Sequence, residues 1–378
     1  MRIRAHHFAT GQLVDVDCVR GIIETVEPSG HARPDRQANW IAPALFDLQI
    51  NGAGGRSFNS GHLTRADIRH VVRACREHGI AALCPTLVTG SHEDVVHGLT
   101  IIREACAAES ELERALPAVH LEGPYIAAED GPRGAHPRRH VRSPDWDEFC
   151  RFQEAAGGRI RLMTLAPESA GALPYIEKLT HSGVVAAIGH TAASPTVIRD
   201  AIGAGARLST HLGNGSHPAL PRHENYFLEQ LAADALWASI ICDGHHLPPS
   251  LVRCIVRVKS PKRLILTCDA SPLAGLPPGR YREWDQDFEV LSGGKIIVSG
   301  TPFLAGSGAF TDLCLGNVMR FAEVSLPEAI AMASSQPREL LGLPSRRLEP
   351  GQPAELMLFD WQAGGDVQVR ATILPDDV

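Results

Sequence analysis

The chain has 378 residues, 44% hydrophobic and 21% charged, with a net charge of −7. That length allows one large domain or two to three smaller ones, and the composition is that of a globular chain able to bury a core. The mild charge, without long runs of one sign, argues against nucleic acid or a membrane as the main partner.

The opening residues, MRIRAHHFATG, lack the apolar stretch of a signal peptide, and no apolar run is long enough to cross a bilayer. A cytoplasmic protein is therefore expected. The nine cysteines are odd in number and form no C-x-x-C pair. Most lie inside apolar segments such as ALCPTL, which predicts buried free thiols in a reducing compartment.

Residues 1–40 read as short strand-like pieces. From about residue 41, apolar strands alternate with amphipathic helices. WIAPALFDLQI comes first, carrying Asp47, Gln49 and Asn51 at every second position, so that all three are expected on one face. A helix from Thr64 to His78 follows, capped by Thr64 and stopped by Gly79, then IAALCPTL and a helix from Ser91 to about Ala108. ALPAVHLEG leads into a Pro/Gly-rich loop to Ser143, a helix over 146–156, RIRLMTLAPE, a helix over 170–181 and VVAAIGH. The helix begun by Ser194-Pro195, ARLSTHLGNG, a long loop, WASIICDGHH, a helix over 249–258 and RLILTCDAS continue the pattern. Residues 279–300 look like an inserted β-hairpin before a last helix that follows Gly308. Residues 349–378 return to short strands.

Eight apolar strands with helices between them predict an α/β fold, a (β/α)8 TIM-type barrel over residues 43–345. A doubly wound sheet would show a Gly-rich phosphate turn after its first strand, and NGAGG is a poor match. Residues 1–42 and 346–378 are expected to pair into a small β-sandwich domain formed by both termini.

Chemistry in such a barrel gathers where strands end. Those places hold Asp47, Gln49 and Asn51 on the first strand, then Glu122, His190, His211 and Asp269. A single histidine at a strand end is more often a hydrogen-bonded structural residue than a ligand. Several ionisable groups at one rim would each need a private partner, whereas Glu, His and His suit Zn²⁺ or a similar divalent ion with a position left for water.

The segments FDLQINGAGG, PTLVT, HLEGPYI, GAHP, TLAPE, GHT, THLGN, DGHH, TCDASPLAG and LEPGQPAELMLFD run in order over nearly the whole chain. In them the sequence resembles the amidohydrolase superfamily, within it the N-acetylglucosamine-6-phosphate deacetylases. The resemblance implies Glu122, His190 and His211 on one divalent ion, most simply Zn²⁺, with Fe²⁺, Mn²⁺ and Co²⁺ also accepted by this set. Gln49 and Asn51 stand where many amidohydrolases carry His-x-His for a second metal, so one ion and a supporting role for both amides are implied. Asp269 becomes the proton carrier, and His136 the residue that reaches the reacting amide. His246 contacts the sugar phosphate, and Asn214 and Gly215 receive the phosphate. Arg222 matches an arginine that relatives supply from a partner subunit, implying a homodimer. The chain departs from the family's usual HLYNAM by reading HLGNGSHPALPRHENYF. The expected activity is removal of the acetyl group from an N-acetylated amino sugar phosphate. The alternatives are another N-acyl or cyclic amide substrate, or a barrel that binds a ligand without turnover.

Overall fold

The computed structural model describes residues 1–284 and 286–378. Eight strands lie in chain order in one sheet: β1 (Leu45–Ile50), β2 (Ile80–Val88), β3 (Val119–Glu122), β4 (Ile160–Leu165), β5 (Val185–Ile188), β6 (Leu208–Ser209), β7 (Trp237–Ile240) and β8 (Leu264–Leu266). Neighbours pair in parallel, and a parallel bridge between Ile50 and Ala270 returns the last strand to the first. The result is the expected barrel, nearly closed.

The local causes are those legible in the sequence. Every residue of β2 is buried, as an apolar run covered on both faces requires. Thr64 and Asp67 form a reciprocal capping pair on the helix Arg65–Glu77. Ser91, Asp145 and Ser194 cap His92–Ala108, Trp146–Ala155 and Pro195–Gly203. Phe46, Leu48, Cys84, Leu162, Leu208 and Ile265 fill the barrel interior, each fully buried aliphatic or aromatic side chain contributing roughly 2 kcal/mol.

Three expectations need correction. The run WIAPALFDLQI is two strands, because Arg36–Pro43 belongs to a separate sheet and β1 begins at Leu45. The pairing of β1 with β2 slips between Asp47 and Ile50, so simple alternation fails there. Phe46 and Leu48 face the interior, Ile50 joins the outer core, and Asp47 turns toward the helix layer, where Thr311 donates to it at 2.5 Å. Asp47 also accepts from the Cys268 N–H at 2.9 Å and from the Thr267 hydroxyl. It ties β1 to Thr267 and Cys268, which follow β8, and does not face the barrel mouth. The long loop before WASIICDGHH contains a helix, Tyr226–Ala232, capped by Asn225.

The two ends of the chain form one six-stranded sheet, in the order Gln368–Ile373, Leu356–Asp360, Arg36–Pro43, Arg2–His7, Leu13–Val19, Ile22–Pro28. After the helix Thr311–Ala322 come two more, Leu326–Met332 and Ser335–Leu340. Arg338 of the last lies 5.0 Å from the Phe46 ring, so this helix closes the end of the barrel opposite the mouth. The segment expected as a hairpin is a three-stranded sheet of Gly279–Glu283, Gln286–Val290 and Ile296–Val298. No helix among the described residues is long and apolar enough to cross a membrane.

Candidate active site

Glu122 ends β3, and His190, His211 and Asp269 follow β5, β6 and β8 within a few residues. The last three share a backbone feature: their φ angles are 51°, 32° and 52°, in the left-handed region that non-glycine residues avoid. Each such residue costs on the order of 1–3 kcal/mol and persists where surrounding bonds over-determine it. Here the bend turns three polar side chains off their strands and toward one point.

That point is crowded. The His190 Nε2 lies 3.2 Å and the His211 Nε2 3.0 Å from the Glu122 Oε1, and the two imidazole nitrogens are 3.1 Å apart. The His190 Nδ1–H donates to the Pro132 carbonyl at 2.8 Å, which leaves the Nε2 lone pair facing Glu122. Among the described residues the His211 Nδ1 has no hydrogen-bond partner. His136 stands further back, its Nε2 3.9 Å from the Glu122 Oε2, and Glu122, His136 and His190 also form a group with ligand atoms within 4.8 Å of one another. The donor set of one carboxylate and two or three imidazoles therefore fits a divalent ion.

Gln49 and Asn51 face this cluster. The Gln49 amide nitrogen donates to the Glu122 Oε1 at 2.9 Å and the Asp269 Oδ1 at 3.0 Å, and the Asn51 amide donates to the same Asp269 oxygen at 2.6 Å. Both amides bond the same oxygen of Asp269, so its Oδ2 lies outside this pair of bonds. Burial, and then the charge of Glu122, push the Asp269 carboxyl up to about 8. Burial alone would raise Glu122 as well, but the imidazoles of His190 and His211 against it hold it well below the usual carboxylate range. Burial, and then His190, keep His136 neutral by holding it well below 6.5. The Thr89 backbone N–H points at the His136 Nδ1 at 3.4 Å, which assigns that ring's hydrogen to Nε2, on the side of Glu122.

The cluster forms the floor of a cavity of about 320 Å³ that Asn214, Gly215 and His246 also line. His246 is oriented by Asp243, which takes its Nδ1–H at 2.8 Å and the backbone N–H of His245 and His246. Glycine at 215 is required: its φ is 56°, and a Cβ there would stand 2.7 Å from the His190 Nδ1. Arg222 is exposed and lies outside this cavity.

No family model matches the chain. It is 33% identical over 349 residues to the N-acetylglucosamine-6-phosphate deacetylase of Bos taurus, covering 89% of this chain and 83% of that one. It is 30% identical to the N-acetylgalactosamine-6-phosphate deacetylase of Escherichia coli O157:H7, covering 90% and 89%. The crystal structure of the Mycobacterium smegmatis N-acetyl-D-glucosamine-6-phosphate deacetylase superposes with a TM-score of 0.90 at 29% identity, over 99% of this chain and 98% of the other. The chain belongs to the N-acetylglucosamine-6-phosphate deacetylase family of the amidohydrolase superfamily.

Two parts of this deacetylase-family site escaped the sequence. Asp243 sits in the motif DGHH, and its position two and three residues before the amides it accepts was a readable signal for a side-chain-capped turn. Trp284, which also lines the cavity, gave none, because it lies in a segment readable only as an inserted hairpin.

Proposed function

We propose that this chain hydrolyses the amide of an N-acetylated amino sugar phosphate, N-acetylglucosamine 6-phosphate foremost, to the free amino sugar phosphate and acetate. One observation carries the reading. A buried aspartate, Asp269, has one oxygen held by two amide donors, beside a carboxylate and two imidazoles whose ligand atoms converge.

Glu122, His190 and His211 would hold one divalent ion, Zn²⁺ in the first instance. Bound there, such an ion lowers the pKa of water and polarises an amide carbonyl. The positive charge of such an ion would favour the ionised form of Asp269, whose Oδ2 would then take a proton from the attacking water and deliver it to the leaving nitrogen, while its Oδ1 stays fixed by Gln49 and Asn51. His136 donates from Nε2 to the carbonyl oxygen as charge builds on it, a contribution on the order of 3 kcal/mol. His246, its Nδ1 held by Asp243, presents Nε2 to the sugar, and Asn214 and Gly215 receive the phosphate. The exposure of Arg222 outside its own chain's cavity supports delivery of this residue to the site of a second copy in a homodimer. The nine unpaired cysteines, seven of them buried, support a cytoplasmic setting.

The similarity to an N-acetylgalactosamine-6-phosphate deacetylase keeps the epimeric sugar as a second substrate. A panel of N-acetyl hexosamines, with and without the 6-phosphate, assayed for acetate decides between them. Preference for a phosphorylated hexosamine is the expected result. Hydrolysis independent of the phosphate would remove Asn214, Gly215 and Arg222 from the site.

A further inference from the structure

A second cavity of about 350 Å³ opens beside the first, over the ends of β1, β2 and β3. Among the described residues only Trp284 borders both. The two cavities otherwise stand back to back, with Val88 and His136 facing the first and their chain neighbours Thr89 and Pro137 facing the second.

Trp284 is held in that position at a cost. Glu283 pairs with Gln286, Trp284 lies in the turn of that hairpin, and its φ is 48°. Turns of this kind favour Asn or Gly where φ is positive, and a bulky aromatic residue is a strained choice. Its indole N–H reaches the Ser57 hydroxyl at 3.3 Å, and its ring meets Phe288 edge-on at 5.7 Å. The neighbouring Gln286 side chain donates to the Ala135 carbonyl at 2.8 Å, fastening the hairpin to the segment that carries His136.

We propose that Trp284 is a specificity-determining residue, a wall that closes the acyl end of the catalytic cavity and restricts the enzyme to short N-acyl groups. The inference rests on the deacetylase reading. With the sugar phosphate toward Asn214, Gly215 and His246, beyond β6 and β7, and the amide over Asp269, the acyl methyl points to the opposite side. Val88 and Trp284 stand there, and behind Trp284 lies the second cavity. The reaction is unchanged: water oxygen joins the acyl carbon, the C–N bond breaks and the amine nitrogen takes the proton.

The test uses Trp284→Asn and Trp284→Gly, both suited to a positive φ, with N-acetyl-, N-propionyl- and N-butyrylglucosamine 6-phosphate. A methylene that a pocket cannot seat lowers kcat/KM by roughly tenfold or more, so the butyryl-to-acetyl ratio should rise by about that factor in both variants. A ratio within about twofold of the wild-type value in both would overturn the proposal. Loss of all turnover in both variants would overturn it too, because a wall residue takes no part in breaking the bond. Failure of the wild-type enzyme to release any acyl group would bring down the deacetylase reading and this inference together, a result distinct from a flat ratio.

Discussion

Gln49 places one amide nitrogen between two carboxylates, Glu122 and Asp269, that would otherwise repel across a buried space. The first strand thus supplies donors where a second set of metal ligands would sit in a two-metal barrel, and this fixes which Asp269 oxygen is left to move protons. Replacing Asp269 by Asn keeps the shape and removes the base. Acetate release should fall by about 10³-fold or more while bound metal, measured per chain, stays near the wild-type level. Near-normal turnover would remove Asp269 from the mechanism. Gly215→Ala acts on the other side of the cluster. Its Cβ would meet the His190 ring at 2.7 Å on a left-handed backbone, so the expected outcome is displacement of His190 and a lower metal content after dialysis. Full metal retention would show that the ring does not need that space.

The segment carrying His136 is anchored by the helix Trp146–Ala155. Glu148 accepts from the Arg142 guanidinium at 2.9 and 2.8 Å and from the Tyr125 hydroxyl at 2.8 Å, and it meets the His92 Nδ1 at 3.0 Å. Burial opposes its ionisation, but Arg142, Tyr125 and His92 together bring it down to about 2, from 4.5. A depressed carboxyl contributes stability above its unfolded pKa and loses it as pH falls from 4.5 toward about 2. Glu148→Ala should therefore lower stability at pH 7 by roughly 1–3 kcal/mol, because Arg142 and His92 stay partly in water, with the gap to the wild-type protein shrinking through that acid window. A gap independent of pH in thermal melts would contradict the ionised network. Elements of this kind were legible unevenly in the sequence. Thr64, Ser91 and Ser194 announce their helices because a cap is a local hydrogen bond. The helix Tyr226–Ala232 did not show, because its seven residues lie among Pro, His and Gly and are held by tertiary contacts. The strand-end groups Glu122, His190, His211 and Asp269 were found because each follows an apolar run. Asp47 was misplaced because a register slip is set by the neighbouring strand and leaves no mark in the strand's own pattern.

At the scale of the whole molecule, the terminal sheet and the barrel are continuous through Pro43 and Ala44, and the strand Leu356–Asp360 is buried over its first four residues. Deleting residues 346–378 would bare the edge of Arg36–Pro43 and the apolar faces of Leu356's neighbours, so the expected outcome is aggregation in place of a folded barrel. A soluble, active truncated chain would show that the barrel stands alone. If Arg222 serves a second copy, mixing inactive Asp269→Asn chains with Arg222→Ala chains should restore activity that neither has alone. No restoration in a verified mixed dimer would place Arg222 outside the reaction. Acetate and free amine released from N-acetylglucosamine 6-phosphate, by enzyme stripped of metal and then given Zn²⁺, test the central claim most directly. Equal amounts of both products, appearing only after the ion is restored, are what the geometry predicts. No acetate from this or any other N-acetyl hexosamine phosphate, with the ion verified as bound, would contradict it.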